Sequence, residues 1–327
     1  MEQQRIKSGF IYLANAVNDL RGNWINLAVV LAPLIVLASM CLLPEALNLQ
    51  HHFASSSGGG GTTVGYFLAQ EPYHPPTNAS AAPAPYPEWL IYAMRGMGAL
   101  ISLVAGLVVL VELKRIQTGE RASGIIGETI AVYASAGRLA LAYLWIAILQ
   151  LLAPGAAILV LELSLGTDYA VLSVFIFVAR MALLVGAGIV YLWLYFAEYA
   201  LVFDGERSFH SLLFSRDLMR KRFFTVASRV VVFLAVWSGY NSWAVVAFYE
   251  VSLLLGPVAQ LTGVVSTIVI LLNLMWLSIS LATSAFFIAA GVRMYQDLIA
   301  IARAGTGDQP NSSATLQATV PLSGATA

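Results

Sequence analysis

The stretch WLIYAMRGMGALISLVAGLVVLVEL (Trp89–Leu113), followed at once by KRIQTGERAS (Lys114–Ser123), decides the fold. As a helix, about 20 mostly apolar residues cross about 30 Å of hydrocarbon. This segment is long enough and it stops on a Lys-Arg pair, the mark of a span whose end lies in the cytoplasm. Five more stretches share its character: Ile25–Leu49, Leu139–Leu165, Val171–Val202, Phe224–Leu255 and Val264–Ala290. Backbone polar groups in hydrocarbon must find partners within the chain, so the sequence predicts an all-α, polytopic transmembrane bundle of six spans.

Composition agrees. Of 327 residues, 59% are hydrophobic and 10% are charged, against about 25% charged in a soluble domain. Net charge is zero, so the placement of charge carries the information. Arg5, Lys7 and Arg21 precede the first span. Lys114, Arg115, Arg121 and Arg138 separate the second from the third. Arg207, Arg216, Arg220, Lys221, Arg222 and Arg229 separate the fourth from the fifth, and Arg293 and Arg303 follow the sixth. The loops on the other side carry neither Lys nor Arg. Both termini are predicted cytoplasmic. The amino terminus has no short apolar core before a small-residue cleavage site, so the first span is expected to act as an uncleaved anchor. The single cysteine, Cys41, excludes an intrachain disulfide and any multi-cysteine metal site.

Residues 1–303 read as a single membrane domain and 304–327 as a disordered cytoplasmic tail rich in Ser, Thr, Ala and Gln. The segment 50–88, with SSSGGGG, HPP and AAPAPYP, reads as a flexible outer loop. His51, His52 and His74 lie in it without the spacing of a rigid metal site, and Asn78 begins a glycosylation sequon.

The chain repeats itself. ELKRIQTGERAS (Glu112–Ser123) parallels EYALVFDGERSF (Glu198–Phe209), each a Glu, six residues, then Gly-Glu-Arg. The next segments are also alike, SGIIGETIAVYASAGRL (Ser123–Leu139) and SFHSLLFSRDLMRKRFF (Ser208–Phe224), with a third version in SGFIYLANAVNDLRGNW (Ser8–Trp24). Three parallel repeats, approximately 8–115, 123–204 and 208–303, are therefore expected, each a cytoplasmic interfacial helix plus two spans. Phe10, Leu13, Ala14 and Val17 share a helical face, as do Ile125, Ile126, Ile130 and Tyr133, and Phe209, Leu212, Leu213 and Met219. Such helices lie in the interface with cations toward anionic headgroups. Gly119, Glu120, Arg121 and Gly205, Glu206, Arg207 read as structural elbows, glycine supplying the left-handed residue past a helix end. Ser123 and Ser208 are candidate N-caps.

The elbows, the paired spans and the ending MYQDLIAIARAG (Met294–Gly305) resemble the membrane domain that accompanies some bacterial glycerophosphodiester phosphodiesterases, and related six-span bacterial membrane proteins. The resemblance implies a membrane fold. The catalytic barrel of those enzymes, with its His-Arg and Glu-x-Asp metal residues, has no counterpart here, so the resemblance implies no phosphodiesterase activity.

Charges within spans are functional hypotheses by default. Arg95 lies nineteen residues before Lys114, about 28 Å along a helix, hence near the outer boundary. Arg180 holds the matching position of the next repeat. Glu45, Glu162 and Glu250 sit near the outer ends of the first, third and fifth spans. Either these acids pair with the arginines, or the set forms an outer site for an anion or headgroup. The polar side chains of Ser238 to Ser242 on the fifth span and of Asn273, Ser278, Ser280, Thr283 and Ser284 on the sixth are expected to hydrogen-bond between helices, while Tyr240, Asn241 and Asn273 could line a cavity. Gly98, Ser102 and Gly106 read as close helix packing. His210, with Glu206 and Asp217, reads as an acid–base cluster or as an ordinary interfacial histidine.

No zinc-protease, nucleophile-elbow or phosphate-loop motif is present. The reading is a non-catalytic inner-membrane component or partner of envelope or lipid-related machinery, without metal or cofactor. Its expected partners are membrane lipids, through anionic headgroups on the cytoplasmic face, and a second protein or another copy of itself, not nucleic acid. A carrier for a small anion or lipid is the alternative, and a membrane-embedded lipid enzyme ranks third.

Overall fold

The computed structural model describes residues 6–45, 47–48, 86–120, 124–163, 170–220, 222–262 and 265–306. Among them the regular elements are all helical. They are α1 (Gly9–Arg21), α2 (Trp24–Cys41), α3 (Glu88–Thr118), α4 (Ile125–Leu163), α5 (Ala170–Leu194), the short α6 (Ala197–Tyr199) with a π turn (Ala200–Asp204), α7 (Ser208–Arg220), α8 (Phe223–Thr262) and α9 (Val265–Thr306). Six stretches are long and apolar enough to cross a membrane: Trp24–Glu45, Glu88–Thr118, Ile125–Ala157, Phe177–Asp204, Phe223–Ala244 and Ile270–Ala304. The chain is an integral membrane protein built as a helical bundle. His51, His52, His74, Asn78, Arg121, Ser123 and the tail from 307 lie outside the described residues.

Helices α4, α8 and α9 contain 39, 40 and 42 residues, about twice the length that hydrocarbon requires. In α4 the excess absorbs the second interfacial segment, which the repeat pattern predicts as a separate helix. Helices α1 and α7 are separate, at 13 residues each. The difference lies at the joint. Helix α1 ends at Arg21-Gly22-Asn23, where the Asn23 amide donates to the Asp19 carbonyl at 3.0 Å. The corresponding part of α4 contains only Gly137, and one glycine inside a helix costs about 1 kcal/mol without breaking it.

Helix starts fix the register of these segments. The carbonyls of Ser8, Gly124 and Arg207 accept the N–H groups of Tyr12, Glu128 and Ser211 at 3.4, 3.0 and 2.9 Å. Ser208 is therefore the first helical residue of α7, and Arg207 takes the capping position expected of Ser208. Counted from those starts, each segment turns one stripe into the bundle: Tyr12, Leu13 and Ala16; Glu128, Val132 and Ala136; Ser211, Leu212, Ser215 and Met219. The second residue of each points out, with Phe10 66%, Ile126 78% and Phe209 69% exposed. The single apolar face expected from periodicity is thus two faces. Leu13, Leu212 and Met219 pack on the protein, while Phe10, Val17, Ile130 and Leu213 stay outside.

Helix α3 packs against α2, α4 and α9, and α4 also against α5. The core gathers where the cations are: Leu107 to Leu113 of α3, Phe196 to Val202, and Ala285 to Leu298 of α9 are largely buried. Pro33 lies inside α2, where it lacks an N–H for the helix ladder. Tyr133 of α4 donates its hydroxyl to the neighbouring Val30 carbonyl at 2.8 Å.

Helix α1 is clasped by the far end of the chain. Arg293 of α9 grips Asp19 through two bonds of 2.7 and 2.5 Å. The Tyr12 hydroxyl donates to Asp297 at 2.9 Å and accepts the Lys7 N–H at 3.2 Å, and burial together with Asp297 pushes the phenol's pKa up. Arg229 of α8 donates to the Lys7 carbonyl at 3.1 Å.

Candidate functional site

At the end of the bundle away from most cations, Arg95 of α3 meets Glu45 through two hydrogen bonds, one at 3.1 Å and one shorter. The pair is largely enclosed, with side-chain exposures of 32% and 15%. One turn on from Glu45, Asn48 donates to the Tyr86 carbonyl and accepts the Tyr86 N–H, both at 2.9 Å. Arg180 is half-buried on α5 and engaged, and Glu250 is exposed on α8. The side chain of Glu162 lies outside the described residues, so the structure brings together Arg95 and Glu45 of the five charges.

Among the described residues of the last two spans, Ser242, Ser278, Thr283 and Ser284 donate to the carbonyls four residues earlier at 2.7–2.9 Å. For these four the bonds lie within a helix where bonds between helices are expected, since a hydroxyl on a helix can reach a carbonyl of its own preceding turn. Tyr240 is 39% exposed and Trp243, one turn on, 78% exposed. The side chains of Asn241 and Asn273 lie outside the described residues. Gly98 faces Cys41 of α2, and Ser102 bonds back to the Gly98 carbonyl at 3.0 Å.

The dense end is different. Helix α5 stops at Leu194, turns through Tyr195 and Phe196, and resumes as α6 and the π turn before ending at Gly205. Such a break frees backbone groups, and side chains from other helices take up several of them. Ser215 of α7 donates to the Trp193 carbonyl at 2.7 Å and accepts the Phe196 N–H at 3.1 Å. Gln150 of α4 donates to Leu194 at 2.7 Å, and Lys114 of α3 to Val202 at 2.6 Å. Arg216 lies over the Trp193 ring at 5.8 Å.

Around the break stands a cluster of aromatic rings with a carboxylate. Tyr143 of α4 lies close to Glu198. Phe196, Tyr199 and Tyr295 pack ring on ring with centroids 5.7–5.9 Å apart, and the Tyr295 hydroxyl donates to Asp204. Two glycines make the room. A methyl on Gly106 would come within 2.9 Å of the Tyr143 oxygen, and one on Gly291 would overlap Tyr199.

Next to the break lies a cavity of about 310 Å³, lined by Val111, Lys114, Arg115, Glu120, Ser135, Arg138, Leu139 and Val202. The first elbow forms its rim. Gly119 ends α3 at φ 70°, and the N–H groups of Gly119 and Glu120 both reach the Arg115 carbonyl. Gly205, at φ 69°, plays the same part after the π turn, with Glu206 and Arg207 leading into α7. Arg115 is held by Glu128 through bonds of 2.7 and 3.2 Å. Among the described residues, Arg138 makes only long contacts within α4, of 3.4 and 3.5 Å. His210 and Asp217 are exposed on α7.

No family model, curated protein or solved structure matches this chain.

Tyr143, Ser215 and the cavity face of Arg138 escape a linear reading. Glu112 and Glu198 gave a signal, as acids inside apolar runs at the same distance from Gly-Glu-Arg; Glu112 is 1% exposed.

Proposed function

We propose that this integral membrane protein is a non-catalytic component of a bacterial inner membrane, resting its basic end on the cytoplasmic leaflet as a part or partner of envelope or lipid-related machinery. One observation carries the reading. Phe10, Ile126 and Phe209, each the second residue of its helix, stand almost free of the protein while the opposite stripes are buried. Large apolar side chains beside a cluster of cations suit the boundary between headgroups and acyl chains, and the Lys and Arg asymmetry orients that end inward. The common helix starts, the two elbow glycines and the equivalent acids support three related units, and the resemblance to the phosphodiesterase-associated membrane domain fits this reading. The broken helix is the feature a carrier would use. Its carbonyls at Trp193, Leu194 and Val202 are taken by Ser215, Gln150 and Lys114, which fits a locked joint better than a transport path.

Nitroxide labels at positions 10, 126 and 209, placed singly in a Cys41→Ser background and reconstituted in bilayers with anionic lipid, test it. Collision with oxygen should exceed collision with a water-soluble nickel complex at all three. Preferential collision with the nickel complex would place those edges in water and overturn the proposal.

A further inference from the structure

We propose that the cavity between α3, α4 and the π turn binds a singly charged phosphate ester, its natural source being the headgroup of an anionic membrane lipid. Charge sets the ligand class. Arg115 is paired with Glu128 behind it at 2.7 Å, which among the described lining residues leaves Lys114 and Arg138 against Glu120, a net single positive charge. That balance matches a phosphodiester better than a phosphate dianion.

Donors remain for it. Lys114 spends one of its three N–H bonds on the Val202 carbonyl at 2.6 Å. Arg138 is exposed, and among the described residues its fork is held only by the long contacts within its own helix, so it can turn to the ligand without breaking a strong bond. The Ser135 hydroxyl adds a third donor. Walls of Val111, Leu139 and Val202 suit the glycerol and first carbons of a lipid. Basic pockets of this kind between membrane helices hold phosphate headgroups.

The proposal rests on reading the basic end as interfacial. The nitroxide labels test that placement, and binding by the purified chain in detergent tests the cavity alone. Native mass spectrometry of the full chain should show a retained phosphatidylglycerol adduct. Arg138→Gln, which leaves the helix bonds of the fold in place, should weaken titrated phosphatidylglycerol by about tenfold, the worth of a charge-assisted hydrogen bond. Glu120→Gln should tighten it several-fold, a gain that misfolding cannot imitate. Arg95→Ala, at the other end, should leave it unchanged. Inorganic phosphate identifies the source. Failure to displace the lipid assigns the site to the headgroup, and displacement at similar concentration assigns it to a free phosphate species; both support the phosphate chemistry. Equal affinity of wild type, Arg138→Gln and Glu120→Gln, or no adduct at all, overturns it.

Discussion

The two ends of the bundle solve the same packing problem differently. At the basic end, side chains reach between helices: Ser215 to Trp193 and Phe196, Gln150 to Leu194, Lys114 to Val202, Tyr133 to Val30, Arg293 to Asp19. Toward the opposite end, Ser242 and Ser278 bond within their own helices, and Met97, Leu100, Trp243 and Leu271 are exposed. Arg95–Glu45 and Asn48–Tyr86 are the ties described there. Acyl chains are as apolar as leucine, so apolar contact alone gives helices little reason to prefer each other over lipid. Close packing and cross-helix polar bonds must do it, and among the described residues they gather at the basic end.

Glycine substitution should break the contrast most visibly. Gly291→Ala drives a methyl into Tyr199 and should cost about 1–3 kcal/mol or more, read as a lowered thermal midpoint in detergent. Gly98→Ala meets only Cys41 at 3.9 Å and should shift it little. Equal effects would mean that the two ends are packed alike.

Serine comes next. Ser215→Ala leaves the Phe196 N–H without its acceptor in a buried turn, a loss of about 1–3 kcal/mol. Ser278→Ala removes a bond from a carbonyl already in its helix and should stay within about 0.5 kcal/mol. The same unfolding curves measure both.

Charge pairs should give the smallest effects. A double-mutant cycle on Asp19 and Arg293, whose side chains are 24% and 43% exposed, should return about 0.5–1 kcal/mol. The cycle on Arg95 and Glu45 should fall in the same range. A much larger coupling for Arg95–Glu45 would show a second fastening at the opposite end and weaken the contrast.

Much of the fold could be read from residue order. Six apolar runs dictate six spans because length and hydrocarbon thickness leave few alternatives. Glycine's freedom at positive φ marks Gly119 and Gly205 as ends of helices. Periodicity alone did not say which apolar residues of an interfacial helix face protein and which face outward. Leu13 and Phe10 look equivalent in sequence, and only the clasp by α9 turns Leu13 inward. The break at Tyr195-Phe196 carries neither glycine nor proline. Its cause is spread over Ser215, Gln150 and Lys114, which are distant in the chain. The cavity was hidden for the same reason. Lys114 and Arg138 read as topology signals, and their convergence depends on α4 running unbroken from Ile125 past Arg138.

The functional reading requires the fastened, basic end to face the cytoplasm. Labelling with a membrane-impermeant maleimide in intact bacterial cells tests this most directly, using Ser8→Cys and Ser57→Cys singly in a Cys41→Ser background. The account predicts that Cys at position 57 reacts in intact cells and that Cys at position 8 reacts only after the membrane is permeabilised. Reaction at position 8 in intact cells, with position 57 protected, would contradict it.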